Sequence, residues 1–181
     1  MPAQREIVRL RWRSEADQVS VSGSGAARIA PDSLRIDMAV RLGVGRATLI
    51  LTGDAVQAEP AELVQQLLPD RYALWAAFGV VRLPDSLAVV ERLADGPRTF
   101  WRFVDGQGRV STFELHGDTL AGAVRTEGGR DVARLQLTRG PGGAVIRARV
   151  TDLVRGAVFE VDIVGRQPSG PFPSEIWQLR P

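Results

Sequence analysis

The stretch PAELVQQLLPDRYALWAAFGVV (residues 60–81) is apolar and helix-like, in a chain whose other segments mostly alternate like β-strands. Pro60 suits the first turn of a helix, and Pro69 ends that helix. Asp70 can cap a second helix, which Gly79 can end. Each helix has one apolar face, formed in the first by Leu63, Val64, Leu67 and Leu68 and in the second by Leu74, Trp75 and Phe78. The sequence therefore predicts two short amphipathic helices over about residues 60–80, which we call the lid.

The segments on both sides of the lid have the two-residue periodicity of strands. In SLRIDMAVRL (33–42) one face carries the apolar side chains Leu34, Ile36, Met38, Val40 and Leu42. QVSVSGSGAARIA (18–30) alternates too, with Val19 and Val21 on one face and glycines that indicate a bend or bulge. After Pro84, turn residues recur about every eight to twelve positions, which is typical of an antiparallel meander.

The fold class that follows is mainly β (α+β). We predict an antiparallel, strongly curved, unclosed half-barrel of about ten or eleven strands, with the helical lid inserted after the early strands. No linker or change of composition divides the chain, so we expect a single domain over residues 1–181. Its last part, about residues 165–181, is a proline-rich tail with Phe172, Ile176 and Trp177 as apolar anchors. These anchors can fold back over one open edge of the sheet, or they can contact a partner.

The composition excludes several kinds of site. The chain has no cysteine and one histidine, so we expect no disulfide, no metal site and no cofactor. The 23 basic residues are all arginine and nearly balance 21 acidic ones; without aromatic platforms beside them, nucleic-acid binding is not expected. No apolar run reaches the roughly 18–20 residues of a transmembrane segment. The first residues, MPAQREIVRL, lack the apolar core of a signal peptide.

A strongly curved open sheet needs a cover for its concave face, because buried apolar surface contributes about 25 cal/mol per Å². The predicted lid has a suitable size for this cover. We therefore expect an apolar cavity between sheet and lid that can hold a hydrophobic ligand. Its candidate lining residues are Val21, Leu34, Ile36, Met38, Val40, Leu63, Leu67, Leu74, Trp75 and Phe78. The alternative is a well-packed core under the lid, in which the same side chains only fill space.

The order of these elements resembles the LolA/LolB-like lipoprotein carrier fold, an unclosed half-barrel with a helical lid. The resemblance lies in GSGAARIAPDSLRIDMAVRLGVGRATLILTGD (23–54), in the lid and in SGPFPSEIW (169–177), and it extends over nearly the whole chain as a pattern. It implies a non-enzymatic protein of the bacterial envelope, in the periplasm or on the periplasmic face of the outer membrane. The implied ligand is a lipid or a lipoprotein acyl chain.

The resemblance is less specific about protein partners and about how a bound lipoprotein is delivered to a membrane. An envelope protein is a second expected partner, and we expect a monomer. The family's outer-membrane receptor inserts an exposed apolar loop tip into the bilayer, whereas the early turns GVG (43–45) and TGD (52–54) are short here. We therefore expect this chain to share the family's ligand cavity but not its delivery step at the membrane. The alternative function is a structural or interaction domain of the envelope that has a packed core and no ligand.

Two further groups of residues could carry a function. His116 lies beside Glu114 and Asp118 in ELHGD, which allows acid–base or metal chemistry, but a solvated turn histidine is the simpler interpretation. One strand face carries several arginines, which could meet anionic headgroups or an acidic partner: Arg9, Arg11 and Arg13, with Arg35 and Arg41. The simpler interpretation is a solvated face, where arginine also discourages edge-to-edge pairing.

Overall fold

The computed structural model describes residues 5–16, 19–41, 45–53, 55–69, 71–82 and 88–179. Before the lid there are five strands, namely β1 (Arg5–Ala16), β2 (Val19–Ile29), β3 (Ser33–Val40), β4 (Arg46–Thr52) and β5 (Ala55–Glu59). The lid consists of α1 (Ala61–Leu67) and α2 (Arg71–Ala77). Seven strands follow, namely β6 (Ala88–Asp95), β7 (Arg98–Val104), β8 (Val110–His116), β9 (Thr119–Glu127), β10 (Arg130–Arg139), β11 (Val145–Asp152) and β12 (Ala157–Ser169). A 3-10 helix (Ser174–Trp177) lies in the tail.

All twelve strands belong to one antiparallel sheet, in the order β5-β4-β3-β2-β1-β12-β11-β10-β9-β8-β7-β6. The first strand pairs with the last, and β5 and β6 are the two edges, so the sheet is unclosed as predicted. The strand count is twelve rather than ten or eleven. The difference arises because AVQAE forms a short edge strand, β5, and because the ambiguous SLAVVERL (86–93) continues as strand in its described part, β6.

The lid demonstrates that the sheet is curved. The chain leaves the sheet at one edge, β5, passes through α1 and α2, and returns at the other edge, β6. Helix α1 contacts β4 and β5, whereas α2 contacts β9, β10 and β11. Strands β4 and β10 are six strand positions apart, or about 29 Å along a flat sheet. Two consecutive helices of seven residues each reach both regions only because the sheet wraps around them.

The outer face of the sheet, opposite the lid, is partly covered by the tail. The 3-10 helix lies against β3, and Arg35 Nη1 donates a hydrogen bond to the carbonyl oxygen of Ile176 at 2.8 Å. Ile50, the register partner of Arg35 in β4, is fully buried. The expectation that the tail covers an open edge is therefore wrong, since it covers the outer face of β3, an interior strand. In addition, β12 continues to Ser169, into the segment expected to be tail.

Candidate functional site

The concave face of the sheet forms an apolar trough, and the structure brings most of the predicted ligand-lining residues together there. Six of them are 0–4% exposed and belong to one buried cluster: Leu34, Ile36, Met38, Leu74, Trp75 and Phe78. Val21 and Val40 are partly buried against the same cluster. Leu63 and Leu67 lie in α1, but their side chains are outside the described part of the structure. That these residues bind a ligand remains a prediction.

Helix α2 packs on both halves of the trough with two different faces. Leu74, Trp75 and Phe78 lie in the cluster formed by β1–β4 and β12. Ala76 and Ala77 have 0% exposure and lie in a second cluster, formed by α2 and β7–β11. The large side chains of α2 face the β1–β4 half of the trough, and its small side chains face the β7–β11 half. The backbone of α2 therefore comes closest to β9–β11. The trough is therefore divided along α2 into two apolar compartments.

The space between α2 and strands β8–β11 is small. Its volume is about 30 Å³, and its lining includes Tyr72, Ala76, Phe113, Ala123 and Leu135. A cavity of about 10–15 Å³ is large enough for one water molecule, so this space holds about two waters. An acyl chain does not fit there while the lid is in its observed position.

A larger pocket opens at one end of the trough, where α2 ends. Its volume is about 360 Å³, and its walls carry both apolar and charged side chains: Glu6, Ile29, Phe78, Val80, Val81, Leu115, Asp118, Leu120 and Arg166, with the backbone of Gly79. We call this space the end pocket. Small-molecule sites commonly have volumes of about 300–1,000 Å³ and a similar mixture of apolar walls and a few polar groups. The end pocket is therefore the described space in the trough that a ligand could enter first.

Arg166 connects the lid to the sheet at the end pocket. Its Nη1 donates to Glu6 Oε2 at 2.7 Å, and its Nη2 donates to the Phe78 carbonyl oxygen at 3.2 Å. The three elements β12, β1 and the end of α2 are thus joined by one guanidinium. Lid movement away from this end must break the bond to Phe78.

A second arginine, Arg139, lies close enough to Arg166 for the two charges to interact. Arg139 donates to the carbonyl oxygens of Leu120 and Gly143, and it has no carboxylate partner among the described residues. Burial, and then the charge of Arg166, lower the pKa of Arg139 below its ordinary value. The Nε atoms of both arginines are buried without a hydrogen-bond partner in the described structure. This end of the trough is therefore polar, in contrast to its centre.

Sequence alternation did not identify Arg166 as an inward-facing residue. Val161 and Ile163 face inward, so strict alternation would turn Arg166 outward. A β-bulge shifts the register between Arg9 and Leu10, and Arg166 then pairs with the buried Val8. Gly165, next to it, was the available signal, because glycine in a strand often marks a bulge.

No protein-family model matches the sequence, and no curated protein does. A domain from Vibrio parahaemolyticus described as an outer membrane lipoprotein-sorting protein superposes with a TM-score of 0.54 at 8% identity, over 96% of this chain and 89% of that one. The fold is LolA/LolB-like.

A second structural neighbour is a DUF1329 family protein from Desulfovibrio piger ATCC 29098. It superposes with a TM-score of 0.50 at 10% identity, over 97% of this chain and 90% of that one. At these identities the likeness shows the fold alone. The predicted resemblance is therefore confirmed at the level of architecture, over nearly the full length of both neighbours.

Of the other candidate residues, Asp118 lines the end pocket, whereas His116 and the arginines of the outer face lie away from the trough of this LolA/LolB-like sheet. His116 is exposed at the end of β8, and its Nε2 lies 2.9 Å from Glu114 Oε1. Within the described ranges, no three histidine, aspartate or glutamate side chains are grouped as they would be around a metal ion. None of the described helices is long and apolar enough to cross a membrane. Arg13 forms an ion pair with Glu15, whereas Arg9 and Arg11 are exposed on the outer face.

Proposed function

We propose that this protein is a non-enzymatic component of the bacterial envelope that holds a lipid or a lipoprotein acyl chain between its sheet and its lid. It would act in the periplasm or at the periplasmic face of the outer membrane. The single observation that carries the proposal is the lid itself: α1 and α2 cover an apolar trough whose fold is LolA/LolB-like. The lipoprotein-sorting description of one structural neighbour supports the choice of ligand class.

Ligand uptake under α2 requires the lid to move, because the space of about 30 Å³ between α2 and β8–β11 is too small for an acyl chain. An acyl chain would replace the contacts that Leu74, Trp75 and Phe78 make with the β1–β4 half of the trough. Each buried methylene of the ligand contributes about 0.8 kcal/mol, so a long chain can offset the loss of these lid contacts. The net affinity is the difference between the two sets of apolar contacts, which makes both uptake and release feasible.

The end pocket is the route we propose for the chain. Its apolar wall, with Ile29, Leu115 and Leu120, continues into the trough, and Arg166 stands at its polar side. Breaking the bond from Arg166 to the Phe78 carbonyl would free the end of α2 while the bond to Glu6 keeps the arginine in place. The lid would then open from this end, and the apolar chain would follow it inward.

A second candidate function is favoured by one specific observation. The cavity of about 30 Å³ under α2 leaves no room for a ligand, which is what a structural or interaction domain of the envelope with a packed core would show. In that account the partner is an envelope protein and the lid is a permanent part of the core. The two accounts differ in whether the trough accepts an apolar chain in solution.

Uptake of a fluorescent fatty acid by the delipidated protein distinguishes the two functions. Met38→Gln nearly preserves side-chain volume but places an amide in the trough, where Met38 is 3% exposed. The carrier account predicts saturable uptake that falls in this variant, with circular dichroism showing a folded protein. Ile146→Gln, at an exposed position of β11, is the matched control and should bind like the parent protein. No uptake by the folded parent protein would favour the packed domain.

A further inference from the structure

A groove of about 730 Å³ runs across the outer face of β1–β4, on the side of the sheet opposite the lid. Its floor is made of small residues, because register pairs Arg11 of β1 with Ser24, Ser24 with Ala39, and Ala39 with Arg46 of β4. The two arginines therefore stand at opposite sides of a floor three strand spacings wide, or about 14 Å. Arg9 stands beside Arg11 on the β1 side. We call this feature the arginine groove.

The arginine groove carries an excess of positive charge. Four arginines and one carboxylate line it. The carboxylate, Asp37, is fully occupied: it accepts hydrogen bonds from Arg28 at 2.6 Å, from Arg35 at 3.0 Å and from Thr48 at 3.0 Å. Arg35 is also bonded to the tail, which lines a neighbouring space together with Arg35 and Asp37. Asp37 therefore has little remaining capacity to neutralise the other arginines.

Three of the arginines have no carboxylate partner among the described residues: Arg9, Arg11 and Arg46. All three are exposed. The nearest register partner with a negative charge is Asp162, opposite Arg11 in β12, but its carboxylate is bonded to Arg147 at 2.5 Å. Elsewhere in the sheet many exposed arginines are paired, as Arg149 is with Glu160 at 2.7 Å. Others, such as Arg5, Arg92 and Arg130, also lack a carboxylate partner among the described residues, but they lie on the separate strands β1, β6 and β10. Arg9, Arg11 and Arg46 differ in that they line one groove together.

We propose that the arginine groove binds a ligand that carries two or more phosphate groups in a row. Arginine forms paired hydrogen bonds with phosphate oxygens, and charge-assisted bonds of this kind are stronger than neutral ones. A phosphate monoester has a charge of about −1.5 to −2 at neutral pH, so two such groups together carry about −3 to −4 and match the three unpaired arginines. A flat membrane surface does not fit, because the small-residue floor lies below the arginine walls. The inference concerns the opposite face from the lid and does not depend on the acyl-chain proposal.

Isothermal titration of the full chain with tripolyphosphate at low salt tests this inference. We expect saturable binding that weakens as salt is raised, because the contacts are between exposed charges. Removing two of the unpaired charges in Arg11→Gln/Arg46→Gln should weaken binding by roughly tenfold or more. The matched control, Arg98→Gln/Arg130→Gln, removes the same charge from β7 and β10 and should bind like the parent protein.

A parallel titration with vesicles of phosphatidylcholine and a lipid with a protruding pyrophosphate headgroup distinguishes the source of the phosphate groups. Vesicle binding with the same dependence on Arg11 and Arg46 would identify a phosphorylated lipid headgroup. Binding of tripolyphosphate alone would identify a free oligophosphate. Equal loss in the groove and control variants would mean that only net charge matters, and the inference would be wrong. It would also be wrong if vesicles bound and tripolyphosphate did not, or if neither bound.

Discussion

Replacing Trp75 by alanine tests how the lid is held on the sheet. Trp75 lies in α2 with 2% exposure, inside the cluster of the β1–β4 half. A buried tryptophan removes about 200 Å² from water, and Trp→Ala changes in cores cost about 3–5 kcal/mol of unfolding free energy. For a chain of this length each kcal/mol lowers Tm by about 2–4 °C, so we expect a decrease of about 6–20 °C. Differential scanning calorimetry measures it.

The carrier account adds an expectation that a plain core mutation does not have. The cavity left by Trp75→Ala lies under the lid, so fluorescent fatty acid uptake should become faster while the protein remains folded. Arg82→Gln is the control, because Arg82 lies over the ring of Trp75 at 5.5 Å and its loss leaves the apolar contacts of Trp75 in place. It removes the cation–π contact, worth about 0.5–1 kcal/mol, and an exposed hydrogen bond to the Pro31 carbonyl oxygen at 3.0 Å. A loss of less than about 1 kcal/mol in Trp75→Ala would refute the packing of α2 described above.

Three further predictions concern charge, the lid end and strand packing. Burial would raise the pKa of Asp37, but its bonds from Arg35, Thr48 and Arg28 outweigh burial and hold the pKa below its usual 3.8. The ionised carboxylate thus stabilises the fold above about pH 3.8 and loses this effect as pH falls through the folded pKa. Asp37→Asn should therefore be less stable than the parent protein in urea at neutral pH, with a difference that closes in acid; a constant difference would contradict the assignment. Arg166→Gln should cost about 1–3 kcal/mol and speed amide hydrogen exchange in α2, and unchanged exchange would mean that Arg166 does not hold the lid. Gly23→Ala should be destabilised by about 1–3 kcal/mol in chemical unfolding, because its Cβ would lie 1.8 Å from a carbonyl oxygen of β3. Gly106→Ala, with open space around the added Cβ, should have the stability of the parent protein. Equal stability of the two variants would refute the close approach of β2 and β3 at Gly23.

Periodicity predicted most of the sheet, because the inner face of the early strands is filled by apolar residues at every second position. Leu34, Ile36 and Met38 follow strict alternation, and all are 3% exposed or less. The two helices of the lid were also predicted from sequence, because Pro60 and Gly79 mark the ends of the lid and its apolar residues recur with helical spacing. These features depend on local sequence, which is why no tertiary information was needed.

The parts that sequence did not predict depend on contacts between distant segments. Arg166 turns inward through a bulge set by its pairing with β1, about 160 residues earlier. The tail covers β3 because Arg35 bonds the carbonyl of Ile176 across the sheet. The volume under α2 depends on how Ala76 approaches Phe113 and Leu135, which alternation does not determine. The size of the cavity and the position of the arginine groove therefore could not be predicted from the sequence.

Native mass spectrometry of the delipidated protein, mixed with a palmitoylated peptide, tests the central claim most directly. The account predicts a complex of one protein with one acylated peptide, absent with the same peptide lacking its acyl chain and diminished in Met38→Gln but not in Ile146→Gln. A folded protein that shows only its own mass with either peptide would contradict the proposed carrier function. It would assign the trough to a packed core and the lid to a permanent part of it.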